Sequence, residues 1–209
     1  MSDPVSVRRM EVSEFNTMRE VSVAAFGDDE QIGHLLDALH ESWAWDDDLS
    51  FVAERDGKLV GQVLYTHAIL DTPRRLQDVL VLSPIGVRAD LQGQGIGGEM
   101  IATSMTVLRQ RNEPLVFLEG HPTYYPRFGF RRAAELGFVA PSIRIPRDAF
   151  MVYPLPRYEP WMTGALVYPD AFWRSDAVGL RQPASLPELR CTSGRVAPRS
   201  QSDLRRSRP

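Results

Sequence analysis

A chain of 209 residues, 43% of them hydrophobic, is long enough for one ordinary domain with a genuine core. Its 24 basic and 27 acidic residues leave a net charge of -3, which argues against a general nucleic-acid binder held by phosphate contacts. Cys191 stands alone, so an intramolecular disulfide is excluded, no zinc spacing of Cys and His is present, no metal is expected, and a reducing cytoplasm is the expected location.

Residues 1–12 lack the apolar core of a secretory signal and no run approaches ~20 apolar residues, so neither export nor a membrane span is expected. Residues 5–10 alternate like a short strand, and Ser13 is placed to cap a helix carrying Phe15, Met18, Val21, Val23 and Phe26. Gly27 ends that helix. Asp28, Asp29 and Glu30 put acid at the start of a second one, whose buried face holds Ile32, Leu35, Leu36 and Leu39. Residues 49–54 and 59–70 read as strands joined by a hairpin at Asp56-Gly57. Residues 76–87 read as a buried central strand interrupted by Pro84, which lacks the ladder donor and predicts a splay or bulge near residues 83–86.

A long amphipathic helix is expected over residues 95–111 and a short strand over 114–118, followed by a single helical turn over 124–128. Further strands are expected over 138–145 and 164–168, the second placed to join a sheet edge or a second copy of the chain in a homodimer. From residue 175 the hydrophobic periodicity disappears. Seven Arg there, against Asp176, Glu188 and Asp203, make a local charge of +4 and leave -7 on residues 1–174. The expected organisation is one domain over residues 1–174 and a flexible Arg-, Pro- and Ser-rich tail over 175–209.

Gln92-Gly93-Gln94-Gly95-Ile96-Gly97-Gly98 joins the central strand to the long helix, where free amides and the positive end of the helix dipole favour an anion such as a pyrophosphate. A Walker A loop needs Gly-Lys-Ser/Thr, and this turn runs Gly97-Gly98-Glu99 without a lysine. A dinucleotide fingerprint fits the letters Gly93-x-Gly95-x-x-Gly98, but the preceding strands are hairpin-linked and no repeated mononucleotide half follows. A tight turn with no ligand is the remaining plain reading.

The segment Gln92 to Gly97 resembles the Gln/Arg-x-x-Gly-x-Gly/Ala turn of the GNAT superfamily of N-acetyltransferases, and His121-Pro122-Thr123-Tyr124-Tyr125-Pro126-Arg127-Phe128-Gly129-Phe130 is similar to acetyltransferases of the YhbS type. The resemblance spans about residues 5–155 by order of elements. It implies a mixed α/β (α+β) fold: a mostly antiparallel central sheet with a splayed central strand, flanked by helices. It also implies acetyl-CoA as acyl-donor cosubstrate and an amine acceptor, small molecule or protein. Gln92, Gly93, Gln94, Gly95, Ile96, Gly97 and Gly98 would hold the pyrophosphate, and Ile85, Gly86 and Val87 the pantetheine arm.

Amine acetylation from a thioester needs a neutral amine, donors for the developing oxyanion and a proton for the departing thiolate. By the resemblance Tyr125, four residues before Gly129, is the thiolate-protonating acid, with Tyr124 as its rival. A backbone amide near Val87 would serve the oxyanion. Glu119 is a candidate general base at the end of its strand, Asp28, Asp29 and Glu30 are alternatives near the acceptor side, and a water chain can replace them all. His121 has no acidic or metal-ligand partner in sequence and is left out of the catalytic set. Residues 43–48, aromatic and acidic, hint at a cationic amine. The family's common asparagine before the tyrosine is not recognisable in Leu118-Glu119-Gly120-His121. The competing class is a non-catalytic acyl-CoA-binding regulatory module, which would keep the turn and need no acid.

Overall fold

The computed structural model describes residues 4–180, so Cys191 and residues 181–209 of the expected tail lie outside the described residues. Among the described residues nine strands form one sheet whose main path runs β1 (Ser6–Arg9), β2 (Ser50–Arg55), β3 (Lys58–Asp71), β4 (Leu76–Val87), β5 (Leu115–Glu119), β8 (Phe150–Pro154) and β6 (Arg131–Arg132). β9 (Gly164–Val167) pairs with the far end of β3 and with β7 (Phe138–Val139). Only β4 with β5 and β7 with β9 run parallel; every other pair is antiparallel, as the sequence led us to expect.

Two apolar layers sandwich this sheet. Helices α1 (Phe15–Ala25) and α2 (Glu30–His40) bury Met18, Leu35, Leu36 and Leu39 against Leu64, Val81, Phe117 and Val152 on one face. The opposite face receives α3 (Ile96–Leu108), whose Ile96, Met100, Ile101 and Leu108 meet Val63, Tyr65, Leu80 and Val116. Strand alternation sends neighbouring residues of β5 to different layers: Phe117 faces α1 and α2, Leu118 faces α3.

Several boundaries differ from expectation. A 3₁₀ turn (Val12–Glu14) precedes α1, and Glu14 rather than Ser13 caps the entry, its carboxylate accepting the Glu11 N–H at 2.8 Å. The strand expected over 138–145 stops at Val139, because Pro141 has no N–H to offer a ladder and Ile145 N–H closes a turn onto Ser142 O instead. β8 is a strand where the sequence analysis expects none. Helix α4 (Asp170–Arg174) was also missed, and the chain does not loosen after it: Val178 is fully buried, and Leu180 N–H donates to Arg144 O at 3.1 Å. The packed domain therefore runs past the expected boundary at residue 174. Among the described residues no helix is long and apolar enough to cross a membrane, and no group of three or more His, Cys, Asp or Glu is placed to hold a metal.

Candidate active site

β4 pairs with β5 only at Leu80 with Val116 and Val81 with Phe117; beyond that point β4 runs on to Val87 paired with β3 alone, while β5 stays paired with β8 on its other side. The two strands splay. Opposite Val63 to Tyr65 of β3, β4 advances from Ile85 back to Leu82, one residue more than its partner, so a bulge falls at Ser83 and Pro84 where the sequence placed it. After the bulge the ladder is regular again. Arg88 N–H donates to Val60 O at 2.9 Å, so alternation along the strand turns the backbone groups of Val87 and Ile85 to the unpaired edge.

That edge floors a groove of about 570 Å³ lined by Ile85, Gly86 and Val87, by the turn from Leu91 to Gly98, by Tyr124, Tyr125, Arg127 and Phe128, and by Ala25 and Phe26 at the end of α1. The expected donor-site residues are thus brought together around one concavity, except Gln94, which is not in the lining. Its amide oxygen instead accepts from Arg55 Nη1 at 3.0 Å. Gly93 (φ +76) and Gly95 (φ +87) occupy left-handed backbone that only glycine adopts without strain, and Gly95 turns the chain into α3. Gln92 holds the turn to the strand, its Nε2 donating to Val87 O at 3.0 Å. At the first turn of α3 the walls come so close that a Cβ on Gly97 would sit 2.9 Å from the Tyr124 hydroxyl and one on Gly98 3.3 Å from the Phe128 ring.

The two rival tyrosines separate by depth. Tyr124, half-buried, points its hydroxyl at Gly97 beside the helix start. Tyr125 is buried in the 3₁₀ turn Tyr125–Phe128, with its ring edge-on to Tyr124 and Phe130 and filling the space that a side chain at Gly120 would need. Burial, with a smaller contribution from the neighbouring Tyr124, pushes the Tyr125 phenol up to about 12. Gly120 is a requirement that sequence reasoning missed, and its position between a strand end and the tyrosine motif was the available signal.

Glu119 is not brought to the groove. As the residue after Leu118 it points to the α1 and α2 face, where Tyr168 Oη donates to one carboxylate oxygen and Gly179 N–H to the other, both at 3.0 Å. Burial raises its pKa despite those two hydrogen bonds. The alternatives fare no better: Asp29 caps α2 through Gln31 N–H, Glu30 pairs with Arg19, and Asp28 does not line the groove. The acidic residues of 43–48 and Trp45 are committed to structure, since Trp45 Nε1 donates to Asp47, Asp48 pairs with Arg9 and Asp46 with Arg111. None of the four tryptophans lines the groove. His121 borders an adjoining pocket with Thr123, Tyr124, Tyr125 and Arg127, and Thr123 N–H and Oγ1 lie 3.4 Å and 3.0 Å from its Nδ1, so that nitrogen is occupied.

Residues 6–133 match the family described as an acetyltransferase (GNAT) domain, which is more than half of the chain. The chain belongs to the GNAT acetyltransferase family. An uncharacterized N-acetyltransferase of Escherichia coli K12, YjhQ, is 36% identical over 130 residues, covering 62% of this chain and 71% of that one. A GNAT family acetyltransferase from Brucella melitensis, solved in complex with acetyl-CoA, is 26% identical with a TM-score of 0.64, covering 81% of this chain and 98% of the other. The E. coli GNAT protein YhbS, solved in complex with CoA, shares the fold at 23% identity and a TM-score of 0.72, over 83% of this chain and 96% of the other. The GNAT fold of this chain accordingly places its splayed strand and Gly-rich turn where the sequence resemblance put them.

Proposed function

We propose that the protein transfers the acetyl group of acetyl-CoA to an amine by direct attack of the amine on the thioester, with Tyr125 protonating the CoA thiolate. One observation carries this reading: the outward-facing backbone of Ile85 and Val87, the amides at the start of α3 and the Tyr125 ring all border a single groove. The Brucella relative, solved with acetyl-CoA, supports the donor's identity. In this arrangement the free β4 edge pairs with the amides of the pantetheine arm as an added strand would, and the Gly95 to Gly98 amides take the pyrophosphate. The Val87 N–H is the donor for the oxyanion that forms when the amine adds.

The phenol of Tyr125, held neutral by burial, gives its proton to sulfur as the C–S bond breaks. Among the described residues no carboxylate lines the groove, so the proton lost by the amine passes to water. The test is thiol release from acetyl-CoA with a panel of amines. Wild type should turn over at least one, and Tyr125→Phe should lower kcat by about 10²-fold or more with CoA affinity kept, as for loss of a positioned acid. CoA binding without turnover on any acceptor would favour a binding module, and full activity in Tyr125→Phe with loss in Tyr124→Phe would reassign the acid.

A further inference from the structure

Three polar side chains lie in the core beside the bulge of β4. Ser50 Oγ, Gln62 Nε2 and Thr66 Oγ1 have no hydrogen-bond partner among the described residues, and their residues are 2%, 1% and 0% exposed, so bulk solvent does not serve them. Buried polar atoms are costly when unpaired, and three in one place call for a common partner. They share one face of the sheet. Along β3, Leu64 and Ala68 point into the α1 and α2 layer while Val63 and Tyr65 point toward α3, so alternation sends Gln62 and Thr66 to the α1 and α2 face. Ser50 is the β2 partner of Leu64 and takes the same face. Leu64 is the residue that the β3–β4 ladder skips, with Val63 opposite Ile85 and Tyr65 opposite Leu82, so the three polar groups surround the bulge at Ser83 and Pro84.

Gln62 stands at the groove end of this row. Its partner in β4 is Gly86, which lines the groove and has no side chain to screen it. The nearest side chains over that position are Ala25 and Phe26, at 2.9 Å and 3.4 Å from where a Cβ would lie, and both line the groove as well. Diagonal neighbours on one face of a sheet are roughly 7–8 Å apart, and side chains reaching toward each other across that distance leave the span of one bridging water. Hydroxyls and water each donate and accept, so such a chain passes a proton without any side chain changing charge.

We infer that Ser50, Gln62 and Thr66 hold bound water at the bulge, and that this water takes up the proton shed by the attacking nitrogen, which makes the three positioning residues for amine deprotonation. The inference rests on the groove being the site of acetyl transfer. The N–C bond forms, the C–S bond breaks and sulfur takes the Tyr125 proton. The proton from nitrogen passes to the clustered water and on to bulk solvent, from which the Tyr125 phenolate is reprotonated. A polar group of the acceptor itself is the competing occupant of the cluster.

Thr66→Val, Ser50→Ala and Gln62→Met remove the polar atoms with little gain of volume. Each should leave CoA affinity unchanged and the melting temperature unchanged or raised, while kcat falls about tenfold or more, toward the range for lost proton-transfer assistance. The drop in kcat on moving from H2O to D2O should grow in these variants, a response that a packing defect does not produce. Thr66→Ser, which keeps the hydroxyl, should recover most of the rate. A high-resolution crystal structure should show water density within hydrogen-bond distance of all three side chains. Dry density there, or wild-type kcat in all three variants, overturns the inference. A loss of kcat that follows a loss of stability and of CoA affinity also overturns it and assigns the residues to packing. A rise in acceptor KM with kcat kept overturns it in favour of direct acceptor binding. Failure of wild type to turn over any amine would instead overturn the acetyl-transfer reading beneath it.

Discussion

The paired and splayed halves of the β4–β5 strand pair are made of similar apolar residues and differ in what completes them. At Leu80 and Val81 each strand finds its ladder partner in the other, and both faces are covered by packed side chains. From Leu82 onward β5 keeps only β8, β4 keeps only β3, and the groups left over face a groove. Buried backbone polar groups need partners, so one end of a strand pair can hold the fold while the other, from Ile85 on, is available for a ligand's amides. The bulge at Ser83 and Pro84 marks the division.

This division can be broken at either end, and the two ends should respond differently. The largest stability effect is expected at the paired end. Phe117 is fully buried, edge-on to Phe138 and stacked on Phe150, so Phe117→Ala should cost about 3–5 kcal/mol in denaturant unfolding, the range for a large aromatic removed from a core. At the splayed end Gly97→Ala should separate stability from binding. Its Cβ meets the far end of the Tyr124 side chain at 2.9 Å and Val87 Cγ2 at an ordinary 3.9 Å, so the melting temperature should hold or rise with the better helix propensity once the phenol shifts slightly. Donor affinity should fall about tenfold, because the methyl group narrows the groove where the phosphate would lie. A parallel loss of both would mean that Gly97 serves packing rather than a ligand.

The smallest effect expected is none. A phenol whose pKa is raised stays protonated above its ordinary value of about 10, so the Tyr125 proton should remain available until pH approaches about 12. The alkaline limb of kcat should therefore show no fall of Tyr125 origin between pH 8 and 10. A decline with a midpoint near 10 that Tyr125→Phe abolishes would contradict the buried-acid assignment.

What the sequence made legible lies mostly on the splayed side. Pro84 inside an apolar run, Asp56-Gly57 between two strands and the spaced glycines of the turn each act through local backbone geometry, which needs no knowledge of distant partners. The missed elements depend on distant ones. β8 is a five-residue run ending in Pro154, and it becomes a strand because β5 is waiting beside it. The segment after α4 has no periodicity of its own and is held by Val178 in the core and by Gly179 on Glu119. Glu119 shows the same limit at a single residue: its place at a strand end was readable, but which face it took depended on the register of β5.

Amide hydrogen exchange with and without CoA tests the division most directly. CoA should slow exchange at Ile85, Val87 and residues 93–97 and leave Leu80 and Val81, already protected by the sheet, unchanged. Equal protection along all of β4, or protection confined to another part of the molecule, would contradict the assignment of the splayed edge to the donor.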